Sequence, residues 1–104
     1  MSVHESLKSL PEWGRLLELV RELAFLDGGS DDAFTLASGR SSRWFFDMKP
    51  LMMHSEASKL LAFLFNHRLD ALGPDFVGGL ELGAVPLTAI VITGSQNHHR
   101  KGFM

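Results

Sequence analysis

Apolar residues recur at intervals of three and four from Trp13 onward. Trp13, Leu16, Leu17, Val20 and Leu23 form one stripe, which predicts a helix packed on a sheet. Just before it, Ser9-Leu10-Pro11-Glu12 has capping-box spacing: Ser9 can accept from the third amide, Glu12 can reach back, and Pro11 suits the first turn. The stripe ends near Asp27-Gly28-Gly29-Ser30, and the period then changes. Phe34-Thr35-Leu36 alternates, Ser38 to Ser42 is turn chemistry and Arg43-Trp44-Phe45-Phe46-Asp47 is aromatic-rich, predicting a β-hairpin with a polar loop. After Pro50, Ser55 can cap a second helix whose buried face is Leu60, Leu61, Leu64, Phe65 and Leu69, closing near Leu72-Gly73-Pro74. The apolar run Phe76 to Leu80 then leads through Glu81-Leu82-Gly83-Ala84 into Pro86 to Ile92, which reads as strand, glycine loop and helix. That is the unit of a parallel α/β sheet, and Gly102-Phe103-Met104 opens the next strand.

Composition narrows the class. A chain of 104 residues makes one small domain, residues 1–104, with one modest core. Apolar residues at 45% interleaved with charged residues at 21% indicate a globular rather than a disordered chain. A net charge of −2 with scattered Lys and Arg argues against nucleic acid as a partner. Having no cysteine, the chain has neither disulfides nor thiolate chemistry, and no apolar run approaches a membrane span. These features predict a cytoplasmic protein with no membrane partner.

One segment stands out chemically. In Gly78-Gly79-Leu80-Glu81-Leu82-Gly83-Ala84-Val85-Pro86 the glycines admit a ligand to the backbone, and the helix that follows points free amides at an anion. The competing reading is a tight strand-to-helix turn whose glycines serve sterics alone, and the local pattern leaves both open. A P-loop is excluded because Ala84 stands where its lysine must be, and Gly79 with Gly83 does not make the dinucleotide fingerprint. Asp31-Asp32 reads as a solvated turn. His4, His54, His67, His98 and His99 lack ligand spacing, so no metal site of the chain's own is expected. Arg100-Lys101 beside His98-His99 reads as a solvated basic loop. Arg40 and Lys49 are loose candidates for phosphate contact.

Two segments together, Phe34-Thr35-Leu36-Ala37-Ser38-Gly39-Arg40-Ser41-Ser42-Arg43-Trp44-Phe45-Phe46-Asp47 and Gly79-Leu80-Glu81-Leu82-Gly83-Ala84-Val85-Pro86-Leu87, resemble orotate phosphoribosyltransferase in order and separation. The resemblance runs from about Leu16 to the end and implies the amino-terminal portion of a type I phosphoribosyltransferase fold: helix, hairpin, helix, then the start of a parallel sheet. It implies transfer of ribose phosphate from phosphoribosyl pyrophosphate to orotate in pyrimidine biosynthesis, by a glycosyltransferase that is a homodimer and uses Mg²⁺ bridging donor oxygens. By resemblance Phe45 and Phe46 line the orotate pocket, while Ala37, Leu82 and Gly83 face the pyrophosphate donor. Some relatives carry a lysine at the positions of Ala37 and Gly83, leaving main chain alone here. The family's Arg/Lys-rich loop and its Asp-Asp strand end do not occur in these residues, so no catalytic residue is assigned and the chain is expected to be an inactive fragment. The alternatives are a regulatory phosphate-binding module of the same fold and an interaction domain that resembles the family by chance.

Overall fold

The computed structural model describes residues 3–95 and 99–103, with side chains described from residue 6 onward. His98, Met104 and the side chain of His4 lie outside the described residues.

Helix α1 (Val3–Lys8), which the sequence pattern did not predict, precedes α2 (Pro11–Leu23). The capping box does not form: Leu10 is the N-cap, and the Ser9 hydroxyl donates to the Ser6 carbonyl at 2.7 Å, closing α1 instead. The buried stripe of α2 keeps Leu16, Val20 and Leu23 of the predicted one but takes Leu19, 2% exposed, in place of Leu17, which is 47% exposed. Helix α2 stops four residues early. Phe25–Asp27 becomes strand β1 and pairs antiparallel with β4 (Trp44–Phe46), in the register Phe25↔Phe46, Leu26↔Phe45, Asp27↔Trp44.

The predicted hairpin therefore closes differently. Strand β2 (Phe34–Thr35) pairs with β3 (Ser41–Ser42) around a turn in which Gly39 has φ of +86°. The aromatic segment passes to the β1 ribbon because β1 offers it apolar cross-strand neighbours, which the two short polar residues of β3 would have replaced with water.

Helix α3 (Lys49–Met52) leads into α4 (Ser55–Leu72). The cap of α4 is His54 rather than Ser55: the His54 Nδ1 accepts from the Ala57 amide at 3.2 Å, which an imidazole nitrogen does as well as a hydroxyl. The helix ends on Gly73, at φ of +67° in the left-handed cap that glycine takes without strain. Its buried residues are Ala57, Leu61, Leu64 and Asn66, while Phe65, predicted buried, is 42% exposed.

The last third matches the prediction. Strand β5 (Phe76–Gly78), a loop and α5 (Val85–Thr93) lead to β6 (Lys101–Phe103), which pairs parallel with β5 through Val77↔Gly102. Gly78 lets β6 approach, since a Cβ there would lie 2.7 Å from the Phe103 carbonyl oxygen. The main core gathers Leu19, Ala24, Leu51, Ala57 and Leu61, with Leu87 and Ile90 of α5 packed against it, so α5 and the ribbon-bearing end of α2 share one apolar centre.

Candidate functional site

The residues singled out by sequence fall in three places. On the β1–β4 ribbon, Phe45 and Phe46 are neighbours along a strand and so face opposite sides. The Phe45 ring stacks on Phe34 with centroids 5.8 Å apart, and the Phe46 ring tilts against Phe25 at 5.3 Å. Both rings are about half exposed and present apolar area to solvent. At the base of this ribbon Arg43 donates to both Asp27 oxygens, at 2.8 and 3.3 Å, and the Gly29 amide donates to Asp27 Oδ1 at 2.9 Å. The Arg43 hydrogen bond and then the Gly29 amide hold the Asp27 carboxyl below the usual carboxylate range. Arg43 is thus spent on structure, which fixes the ribbon against the 28–33 turn.

Ala37 lies exposed in the hairpin turn, closed by Leu36 N to Arg40 O at 2.8 Å and Gly39 N to Leu36 O at 2.9 Å. Arg40 is exposed beside it, and Lys49 sits 3.9 Å from Asp47 with its side chain 78% exposed. Asp31-Asp32 forms a turn, with Asp32 accepting from the Ser30 hydroxyl, as predicted.

The third place is the loop between β5 and α5. Ala84 N donates to Leu80 O and Val85 N to Leu82 O, winding the loop into the helix, while Pro86 occupies the first turn. Here the glycines separate by role. A Cβ on Gly79 would lie 2.6 Å from the Ala84 Cβ, so packing alone demands glycine there. A Cβ on Gly83 would meet nothing within 4 Å, so internal sterics do not explain that glycine. Among the described residues the amides of Leu82 and Gly83 have no hydrogen-bond acceptor, and the Leu82 side chain is 78% exposed. Exposed amides in the turn before a helix, one of them on a glycine with open space where a side chain would stand, can face an anion.

The Phe34–Phe45 stack and the Ser42–Trp44 hydrogen bonds tie the hairpin to the ribbon, whereas among the described residues no such contact joins either of them to this loop; the link is through the core that Leu87 enters. Nor is any group of three or more His, Asp or Glu placed to hold a metal ion among those residues.

Sequence reasoning misread one cation. Arg100, read as part of a solvated loop, has a side chain only 1% exposed. Its guanidinium donates to Pro74 O at 3.0 Å, Asn66 Oδ1 at 3.1 Å, Ser95 Oγ at 3.4 Å and Asp70 Oδ1 at 3.0 Å. Asn66, itself buried, donates to the carbonyls of Ala62 and Val91. Arg100 therefore bolts the entrance of β6 to the end of α4, and is not available to a ligand. Only the buried Asn66 inside an otherwise apolar helix stripe could have signalled it.

No family model matches the chain. By sequence it is similar to the orotate phosphoribosyltransferase of Bradyrhizobium sp. (strain ORS 278), 47% identical over 77 residues that cover 74% of this chain and 40% of the relative. To that of Rhodopseudomonas palustris (strain TIE-1) it is 40% identical over 91 residues, covering 86% of this chain and 46% of the relative. Among solved structures it resembles Mycobacterium tuberculosis H37Rv orotate phosphoribosyltransferase in complex with inorganic phosphate. The TM-score is 0.72 at 28% identity, over 90% of this chain and 54% of that one. The same enzyme in complex with Fe(III) dicitrate gives a TM-score of 0.69 at 29% identity. The chain thus spans about half the length of the relatives it matches.

Proposed function

From a chain that corresponds in sequence and fold to part of orotate phosphoribosyltransferase, we propose that it supplies the base-binding ribbon and the pyrophosphate-binding loop of such an enzyme. The reaction is transfer of a 5-phosphoribosyl group from phosphoribosyl pyrophosphate to orotate, releasing pyrophosphate. The carrying observation is Gly83: a glycine that packing does not require, in the exposed turn before α5, where its amide and that of Leu82 have no acceptor among the described residues.

The chemistry asks for charge stabilisation more than for a nucleophile, because the donor leaves as an anion while the ribose gains positive character. Backbone amides of Leu82 and Gly83, fixed by the turn bonds of Ala84 and Val85, bind the pyrophosphate without reorganising. An aromatic face on the β1–β4 ribbon receives the flat orotate ring; since Phe45 and Phe46 face opposite sides, one ring stacks and the neighbouring backbone supplies polar contacts. Ala37 lines the approach of the donor with main chain alone. Mg²⁺ would be held by the donor's own oxygens and would supply neutralisation of the charge on the departing pyrophosphate. The working unit is a homodimer in the cytoplasm, with no nucleic acid or membrane partner; among the described residues no helix is long and apolar enough to cross a membrane.

Titration of the chain with pyrophosphate, followed by phosphorus NMR, tests the loop. Gly83→Val is expected to weaken binding about tenfold or more by placing a side chain before the amides, with an unchanged circular dichroism spectrum because the space there is open. Equal binding by Gly83→Val and the unaltered chain, or none by either, overturns the assignment. Quenching of Trp44 fluorescence by orotate, lost in Phe45→Ala or Phe46→Ala, tests the ribbon and tells the two rings apart.

A further inference from the structure

A pocket of about 220 Å³ opens where α1, α2 and α4 meet. Its wall is Leu7 of α1, Trp13 and Leu16 of α2, and Leu61, Leu64 and Phe65 of α4, and Arg68 is the only charged residue on it. We propose that this pocket binds a small aromatic monocarboxylate, with the ring among the leucines and the carboxylate on the Arg68 guanidinium.

Size and wall select the apolar part of the ligand. An apolar cavity of about 150 Å³ is enough for benzene, and sites for drug-sized ligands begin near about 300 Å³. A volume of about 220 Å³ therefore suits a single ring with a short substituent. Leu61 and Leu64, each 5% exposed, close the pocket from below, whereas Phe65 is 42% exposed. Residues 61, 64, 65 and 68 follow one another at helical spacing, so one stripe of α4 carries floor, rim and cation together. The exposed Phe65 ring, which the core does not use, thereby has a surface to complete.

Arg68 selects the acidic part. Among the described residues it has no hydrogen-bond or ion-pair partner, whereas Arg15, Arg43 and Arg100 each hold a carboxylate. The α4 positions one turn away from it are Leu64, Phe65, Ala71 and Leu72, so its own helix offers it no acid. An unpaired guanidinium beside an apolar hollow matches a ligand with an apolar body and one carboxylate, which it can bind through two parallel N–H donors. A cationic ligand is repelled there, and a neutral one leaves the guanidinium unused. Orotate does not suit, because this wall would strip water from its polar ring without replacing the hydrogen bonds. The pocket is separate from the loop and the ribbon and does not rest on the reading given for them.

Leu16 and Leu61 also belong to the main core, so a ligand here packs between α2 and α4 and stabilises the fold by mass action. The chain has two tryptophans, and Trp44→Phe leaves Trp13 as the only indole, a reporter on the pocket wall. In that background benzoate should change the Trp13 emission with a Kd of about 1–10 mM, as so small a ligand allows. It should also raise the melting temperature more than an equal concentration of acetate does. Methyl benzoate, the same ring without the charge, should bind about tenfold more weakly, and so should benzoate in Arg68→Gln. Leu7→Phe, which fills the hollow, should abolish the response. Methyl benzoate binding as tightly as benzoate, benzoate binding unchanged by Arg68→Gln, or no response to benzoate at about ten times that Kd overturns the proposal. If circular dichroism shows Leu7→Phe unfolded, Arg68→Gln decides, since Arg68 is exposed and outside the core.

Discussion

At the scale of single residues, what the sequence could not disclose was satisfaction of polar groups. Arg100 sits among His99 and Lys101, a context that reads as water, yet four acceptors from three separate segments close around its guanidinium. No local pattern encodes such convergence, because Asn66, Asp70 and Pro74 line the end of α4, and Arg100 reaches them only once β6 has paired beside β5. Replacing Arg100 with Met keeps the stem, leaves the Pro74 carbonyl without that donor and leaves the buried Asn66 Oδ1 with the Ser95 hydroxyl alone. The expected loss is about 2–3 kcal/mol, since unsatisfied buried acceptors cost their desolvation, seen as a lower urea midpoint at unchanged slope. Asp70→Asn should cost under about 1 kcal/mol, because Asp70 is half exposed and the neutral amide oxygen still accepts. The glycines divide the same way: Gly79→Ala collides with Ala84 and should lose about 1–3 kcal/mol by overpacking, whereas Gly83→Ala should change the thermal midpoint hardly at all.

At the scale of elements, periodicity found α2, α4, β5 and α5 and the parallel partner β6, since each carries its own apolar spacing or its glycine and proline punctuation. It missed β1 because Phe25-Leu26-Asp27 continues directly from a helix with only Ala24 between, and three residues are too few to reveal a change of period. It therefore gave the aromatic strand to the wrong neighbour. The ion pairs that fix these elements were also out of reach, being set by packing. Arg15 of α2 donates to both oxygens of Glu56 on α4, each at 2.8 Å, and also binds Glu18. Hydrogen bonding from Arg15 holds the Glu56 carboxyl below its ordinary value of 4.5, as Arg43 holds Asp27 below 3.8. A carboxyl lowered on folding stabilises the fold above its unfolded value and loses that contribution as pH falls through the folded one. The melting temperature should therefore be flat from neutrality down to about pH 5 and fall below about pH 4. In the doubly substituted Glu56→Gln, Asp27→Asn chain the acid fall should be shallower and its midpoint at pH 7 lower. An identical pH profile in the two proteins would show that neither pair is formed in solution. Because all four side chains are largely exposed, 1 M salt should reduce the difference between them.

At the scale of the whole molecule, the local elements that carry the candidate residues were more legible than the packing around them. The two segments that carry the family resemblance are marked by turn residues and aromatic surface, which a sequence shows, whereas burial depends on what meets what. The radius of gyration is 15.4 Å, against about 13 Å for a compact domain of this length, and the fully buried apolar side chains are few. Sheet β5–β6 has two strands, and Phe76 and Phe103, with rings 6.4 Å apart, are each about 60% exposed on it, next to Leu80 and Leu82 at 88% and 78%. Two strands do not make an independently stable sheet, and open edges flanked by aromatic residues recruit other chains. The 104-residue chain by itself should accordingly bind a hydrophobic dye such as ANS in its native state. It should also aggregate on warming before it completes a cooperative transition. Phe103→Lys, which places a charge on the open edge without touching the main core, should delay aggregation while leaving the helical circular dichroism signal in place. If dye binding is absent and the chain melts reversibly in one sharp step, then β5–β6 is covered in solution.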